Sequence, residues 1–149
     1  MCLCEKGASK PDIGSVEAFK RTMMAAKSIG YNDPAAGAPV SLYLIELFER
    51  LGIAEEMKAK TTVFKQRSER FDAVARGDVE IGFNQISEIV GVPTVDLIGP
   101  LPSAIQRYTL FASGIVASGK EQDASRAFVS YISSEEAHGT WKAKGFETP

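Results

Sequence analysis

The sequence predicts an α/β domain with a mainly parallel sheet flanked by helices. Three observations predict it: short runs rich in β-branched and aromatic residues alternate with amphipathic stretches of 3.6-residue period, several of those stretches start at a serine, and several end at a glycine. Each element follows from local pattern. Residues 2–4 read as a short strand, with Cys2 and Cys4 on one face of an extended chain. A polar loop over 6–12 follows. Ser15 can cap a helix that carries Val16, Phe19, Met23 and Ala26 at helical spacing, and Glu17 suits the positive end of its dipole. Residues 28–31 form a brief strand, which Asn32, Asp33 and Pro34 terminate. After a small-residue turn over 35–39, a helix over about 40–51 presents Val40, Leu44, Leu47, Phe48 and Leu51 on one stripe, with Gly52 as its C-terminal stop.

A short helical piece over 54–60 leads to a strand at 61–64. Ser68 is the expected cap of the next helix, which turns Phe71, Val74 and Ala75 inward and stops at Gly77. Residues 79–83 are a strand ending in a polar turn over 84–87, and 96–98 a further strand closed by Gly99, Pro100, Leu101 and Pro102. The longest expected strand is 108–117, bent or bulged at Gly114. Helices over 124–132 and 134–144, the second stopped by Gly145, complete the chain, and no internal repeat is read.

Composition narrows the function. Across 149 residues, 17 Lys and Arg face 19 Asp and Glu, a net charge of -2, with 44% hydrophobic and 24% charged residues. This is the profile of a soluble globular domain able to bury a core without disulfides or metals. Basic residues are scattered, so a nucleic-acid partner is not expected. No apolar run approaches the ~20 residues needed to span a bilayer, so membrane insertion is not expected either. The first residues lack a basic segment followed by an apolar one, so the chain as written would be cytoplasmic. Cys2 and Cys4, with His138 as the only histidine, fall short of four zinc ligands; reduced, semi-buried thiols are expected, and no metal or cofactor.

Ligands of open α/β sheets bind where the carboxyl ends of strands feed helix N-termini, and two segments fit. In the first, Ala36, Gly37 and Ala38 allow close backbone approach, the amides of the following helix attract anions, and Ser41 adds a hydroxyl. The second is the turn holding Asn84, Gln85 and Ser87, whose side chains can orient a small polar ligand, or of which Ser87 can simply cap a short helix. Both also read as ordinary capped connections. No catalytic constellation assembles: His138 lies among Glu135, Glu136 and Lys142 without a nucleophile, and no phosphate-binding or nucleophile-elbow motif occurs. The chain is therefore expected not to be an enzyme.

Several ordered segments carry a resemblance: Lys10-Pro11-Asp12-Ile13-Gly14-Ser15, Ser28-Ile29-Gly30-Tyr31-Asn32-Asp33-Pro34, Phe48-Glu49-Arg50-Leu51-Gly52-Ile53, Arg76-Gly77-Asp78-Val79-Glu80-Ile81-Gly82-Phe83, Gln85-Ile86-Ser87-Glu88, Gly99-Pro100-Leu101-Pro102 and Ser134-Glu135-Glu136-Ala137. Together they resemble the molybdate-binding-protein-like solute-binding proteins of ABC transporters. The resemblance implies a two-lobed type II periplasmic-binding-protein fold that holds a small oxyanion or organic anion between its lobes and closes by a hinge. It places the second lobe's anion site at 35–41 and at the loop after the 79–83 strand. It also implies a periplasmic location and an ABC permease partner. Against that pattern the N-terminal part of the family fold is expected to be missing. Residues 11–110 would form the second lobe, and 1–10 with 111–149 a remnant of the first, whose open edges favour homo-oligomers. The expected function is a solute-binding component, or a truncated relative, for a molybdate-like oxyanion or an organic acid. The alternative is a cytosolic sensor or interaction module using the same lobe without transport.

Overall fold

The structure, a computed structural model, describes residues 1–148 and divides into two compact units, Met1–Arg107 and a smaller one from Tyr108 onward. The first unit holds a five-stranded sheet of order β3-β2-β4-β1-β5, built from β1 (Cys2–Glu5), β2 (Ile29–Asn32), β3 (Thr61–Phe64), β4 (Ile81–Phe83) and β5 (Val95–Gly99). β2 runs parallel to both β3 and β4, and β1 runs antiparallel between β4 and β5. The sheet is therefore mixed but mostly parallel, as expected, and residues 2–5 are paired within the first unit.

Strand alternation sorts the side chains onto two apolar faces. Cys2, Ile29, Tyr31, Ile81 and Phe83 face one side, under α1 (Val16–Ala25), α2 (Pro39–Arg50) and α3 (Ala54–Ala59), where they meet Phe19, Met23, Leu44, Leu47, Phe48 and Met57. Leu3 and Val95 face the other, under α4 (Arg67–Ala75) and α5 (Ile86–Ile89), against Phe71, Val74 and Ile89. Gly30 and Gly82 stand in the inner strands on this second face. A Cβ on Gly30 would come within 2.9 Å of the Phe64 ring, and one on Gly82 within 3.0 Å of Leu3 and Val74. The missing side chain of Gly82 lets Val74 of α4 lie close to the sheet, and that of Gly30 makes room for Phe64 and Val79.

Capping explains the helix ends. The Ser15 hydroxyl accepts the Ala18 N–H at 3.1 Å, as its position predicts. α1 has no basic residue in its last turn; Lys60, just before β3, supplies the charge by donating to the carbonyls of Met23, Met24 and Ala26 at 2.6 to 2.9 Å. Gly52 and Gly77 take the left-handed conformation where the sequence places helix stops. α4 starts one residue before the expected Ser68 cap. Gln66 is its N-cap, and the Glu69 carboxylate reaches back to accept the Gln66 N–H at 3.1 Å, so a capping box outcompetes the lone serine. Ser87 does not cap α5 either: it is the second residue of that helix, behind Gln85 at the N-cap.

The second unit contains α6 (Gln122–Ile132) and α7 (Glu135–Ala143). The expected strand over 108–117 is absent. Its aromatic and β-branched residues give it strand propensity, but among the described residues no neighbouring strand accepts its ladder bonds, and Leu110, Phe111 and Val116 are exposed. Its end is held instead by Gln122, whose amide donates to the carbonyls of Val116, Ala117 and Gly119. Edge-on contacts join Phe111 and Trp141 to Phe146, and the Trp141 indole donates to the Ile132 carbonyl at 2.7 Å.

Both cysteines are buried and unbridged, and burial pushes the Cys2 thiol up to about 11. Cys2 in the folded chain should therefore react with a thiol reagent at pH 8 at least tenfold more slowly than in 6 M guanidinium; equal rates would contradict its place inside the sheet. Gly82→Ala should destabilise the first unit by about 1–3 kcal/mol, because the buried Leu3 and Val74 side chains must shift. Urea unfolding would show this as a lower midpoint at unchanged slope.

Candidate functional site

Parallel strands β2 and β4 lie side by side, and the chain leaves their carboxyl ends in opposite senses. After β2 it turns into α2 on one face of the sheet; after β4 it turns into α5 on the other. This reversal is the topological switch point, where open α/β sheets form a ligand crevice. Both segments singled out from the sequence leave the sheet here.

The two strands carry the same four-residue pattern. Ile-Gly-Tyr-Asn at 29–32 and Ile-Gly-Phe-Asn at 81–84 are aligned by the register that pairs Ile29 with Ile81 and Gly30 with Gly82. Carried two residues further, that register sets Asn32 beside Asn84. By strand alternation both asparagines belong to the face of the two glycines, the face that α4 covers. Arg70 enters from α4, one turn before Ala73 and Val74 on the buried stripe of that helix, and is only 1% exposed. Its Nη1 donates to Oδ1 of Asn32. Its Nε and Nη2, and the Nδ2 of Asn84, are buried without a hydrogen-bond partner. The guanidinium carbon lies 5.0 Å from the Phe71 ring centroid, close enough for a cation–π contact.

Burial pulls the Arg70 pKa down to about 10, Glu88 partly offsets that, and Arg67 adds to it. The group is still a full cation at neutral pH. Glu88 is already engaged by Arg67 at 3.2 Å. The Asp33 carboxylate accepts the Ala35 N–H at 2.9 Å as the cap of a 3-10 turn (Pro34–Ala36). The switch point is thus rich in N–H donors, and its nearest carboxylates are committed elsewhere.

The predicted residues are distributed unevenly around it. Ala36 and Gly37 are exposed, and their amides are spent inside the turn, donating to the Asp33 and Pro34 carbonyls. Ala38 is the N-cap of α2, and Ser41 is buried in its first turn, where the amides of Val40 and Ser41 precede the first intrahelical bond, from Leu42 to Ala38. Asn84 is buried at the switch point, whereas Gln85 and Ser87 are half-buried at the start of α5. Sequence reasoning missed Arg70 and Asn32. Two signals pointed to them: an arginine in phase with the apolar residues of α4, and the repeated apolar-Gly-aromatic-Asn tetrad. Among the described residues no cluster of His, Cys, Asp or Glu could hold a metal ion, and no helix is long and apolar enough to cross a membrane. A shallow depression along α1 lined by Glu17, Lys20, Arg21, Met24 and Ala25 lies outside this site.

Comparison with known proteins adds three findings. The family model described as bacterial extracellular solute-binding protein matches residues 2–147. A Pseudomonas protein named aconitate isomerase is 36% identical over 133 residues, which are 89% of this chain and 49% of that protein; the chain spans about half the length of this relative. Two solved structures share the fold. The substrate-binding domain assigned to a molybdenum ABC transporter of Clostridium difficile matches with a TM-score of 0.73 at 16% identity, and covers 99% of this chain and 62% of that one. The periplasmic molybdate-binding protein of Azotobacter vinelandii matches with a TM-score of 0.69 at 18% identity, over 99% and 64%. With that family model matched along nearly its whole length, the chain belongs to the bacterial extracellular solute-binding protein family.

Proposed function

We propose that this chain is the anion-recognising part of a solute-binding component of an ABC-type uptake system, working outside the cytoplasm and handing a small anion to a permease. The observation that carries this reading is Arg70, a buried cation with two N–H-bearing nitrogens left without partners beside an equally unpartnered Asn84 amide. A buried unsatisfied polar group costs about 1–3 kcal/mol, and more when charged, so such a group is a poor choice for stability alone. An anion seated there satisfies the donors and offsets the buried charge together.

The relative named aconitate isomerase favours a second reading, in which the ligand is also a substrate. Isomerisation requires a group that moves a proton, and the carboxylates nearest the switch point, Asp33 and Glu88, are held by the Ala35 amide and by Arg67. The geometry supports binding over turnover. Self-association belongs to the proposal as well: β3 and β5 are the sheet's edge strands, and Val63 on β3 is 49% exposed. Light scattering at high concentration should report a dimer or larger, and a strict monomer would remove this part.

A saturating anion should stabilise the protein by about 2.7 kcal/mol at a concentration one hundred times Kd, visible as a rise in Tm. Arg70→Met should lose that rise and, in anion-free buffer, match or exceed the unaltered protein in stability by about 1–4 kcal/mol, since an apolar side chain replaces a poorly paired buried charge. No anion-induced shift in the unaltered protein, together with a large destabilisation by Arg70→Met, would make Arg70 a structural residue. Incubation with cis-aconitate, followed by NMR, should leave the geometry of the double bond unchanged; catalytic conversion would favour the second reading.

A further inference from the structure

We infer that Arg67 is a positioning residue of the anion site: it holds the Glu88 carboxylate aside and so keeps the Nε and Nη2 edge of Arg70 open for a ligand. This deepens the anion-binding reading above and rests on it. Two unpartnered buried nitrogens on one guanidinium attract any carboxylate that reaches them, and the chain's own carboxylates are always at hand. Asp33 is held by its own turn, which leaves Glu88 as the competitor. Glu88 is the third residue of α5, in the segment that leaves β4 just after Asn84, and α5 packs on the same face of the sheet as α4. Arg67 and Arg70 are one helical turn apart on α4 and so are neighbours along it. The Glu88 carboxylate meets Nη1 of Arg67 at 3.2 Å. Against the lowering effect of burial, its charge raises the Arg70 pKa, and the charge of Arg67 lowers it again. One carboxylate thus lies in the field of two arginines and is bonded to the exposed one.

The contrast between the two arginines shows what the pair does. The side chains of Arg67 and Glu88 are 57% and 35% exposed, and an ion pair so open to water contributes little to stability. Arg70 is buried, so a carboxylate on its free edge would form a bidentate, weakly screened pair but would give up its own hydration. For Glu88 the Coulombic gain and the desolvation cost oppose each other there, so a modest hold from Arg67 is enough to decide which arginine it takes. With Glu88 on Arg67 those two charges cancel, and the positive charge of Arg70 is left as the net charge of the cluster. With Glu88 on Arg70 the edge would be occupied, and apparent affinity would fall in proportion to the fraction of molecules left open.

Two measurements test this, one of them without ligand. In ligand-free 15N-labelled protein, Arg67→Gln should move the Arg70 Nε–H resonance downfield as Glu88 takes the free edge. The shift should be absent in the double variant Arg67→Gln/Glu88→Gln, and in Arg67→Lys, which keeps a cation beside Glu88. In calorimetric titrations with tricarballylate, succinate, molybdate and sulfate at constant ionic strength, Arg67→Gln should weaken the tightest-binding of the four about two- to fivefold, and adding Glu88→Gln should restore it. An Arg67 that only braces α5 against α4, or that binds the ligand itself, would leave the ligand-free resonance unmoved or would shift it in the double variant as well; either result overturns the inference. Unchanged affinity in Arg67→Gln, or a loss that Glu88→Gln does not restore, overturns it too. In each of these cases an anion bound by the unaltered protein leaves the anion-binding reading standing. No binding of any of the four would overturn that reading and this inference with it.

Discussion

The buried guanidinium of Arg70 constrains the first unit more than any other single group. A cation taken out of water needs partners for its donors, and in this fold only Nη1 has one, the side-chain oxygen of Asn32. Several features that look independent meet at that requirement. Gly82 leaves room for Val74 of α4 to approach the sheet, so that a residue in the first turns of that helix can reach the strand ends. The Gln66–Glu69 capping box fixes where α4 begins and hence which residue faces inward. Parallel pairing of β2 with β4 brings Asn32 and Asn84 to the same height. A one-residue slip in that pairing would turn one asparagine to the opposite face and separate the donors.

The rest of the fold reads as support for this arrangement. The larger apolar cluster, under α1, α2 and α3, is conventional packing, with Phe19, Leu47 and Phe83 fully excluded from solvent and Phe48 edge-on to Phe83. The smaller cluster, under α4 and α5, carries the buried charge at its margin. The larger core and the buried charge thus lie on opposite faces of one sheet. The face with the richer core can tolerate the cost of the poorly satisfied face, a distribution common where binding sites store unsatisfied polar groups.

Most of the architecture was legible in the sequence because it rests on local rules. Ser15, Gly52 and Gly77 mark helix ends through hydrogen bonding and left-handed backbone, which depend on nearby residues only. The strand at 61–64 was read to the residue. What was misread depends on distant partners. The 108–117 run has strand propensity and no ladder, a matter of neighbours and not of composition. Ser68 has the chemistry of a cap, but the Gln66–Glu69 capping box starts the helix earlier and leaves Ser68 inside its first turn. The two loops were identified from the rule that ligands gather at strand ends, but their exposed small residues, Ala36 and Gly37, spend their amides within their own turn. Arg70, the buried cation of the candidate site, is hidden in the sequence because a surface reading of arginine is the usual one, and only the phase of α4 together with the repeated tetrad points it inward.

The central claim, that an anion docks on the free edge of Arg70, is tested most directly by observing that edge. In 15N-labelled protein, the Arg70 Nε–H resonance is assigned by its loss in Arg70→Lys and followed while tricarballylate is added. Docking predicts a saturable downfield proton shift at Arg70 Nε and slowed exchange with water, with the Nε–H of Arg67 unmoved. If tricarballylate binds and the Arg70 resonance stays where it was, the anion sits elsewhere and the account is wrong.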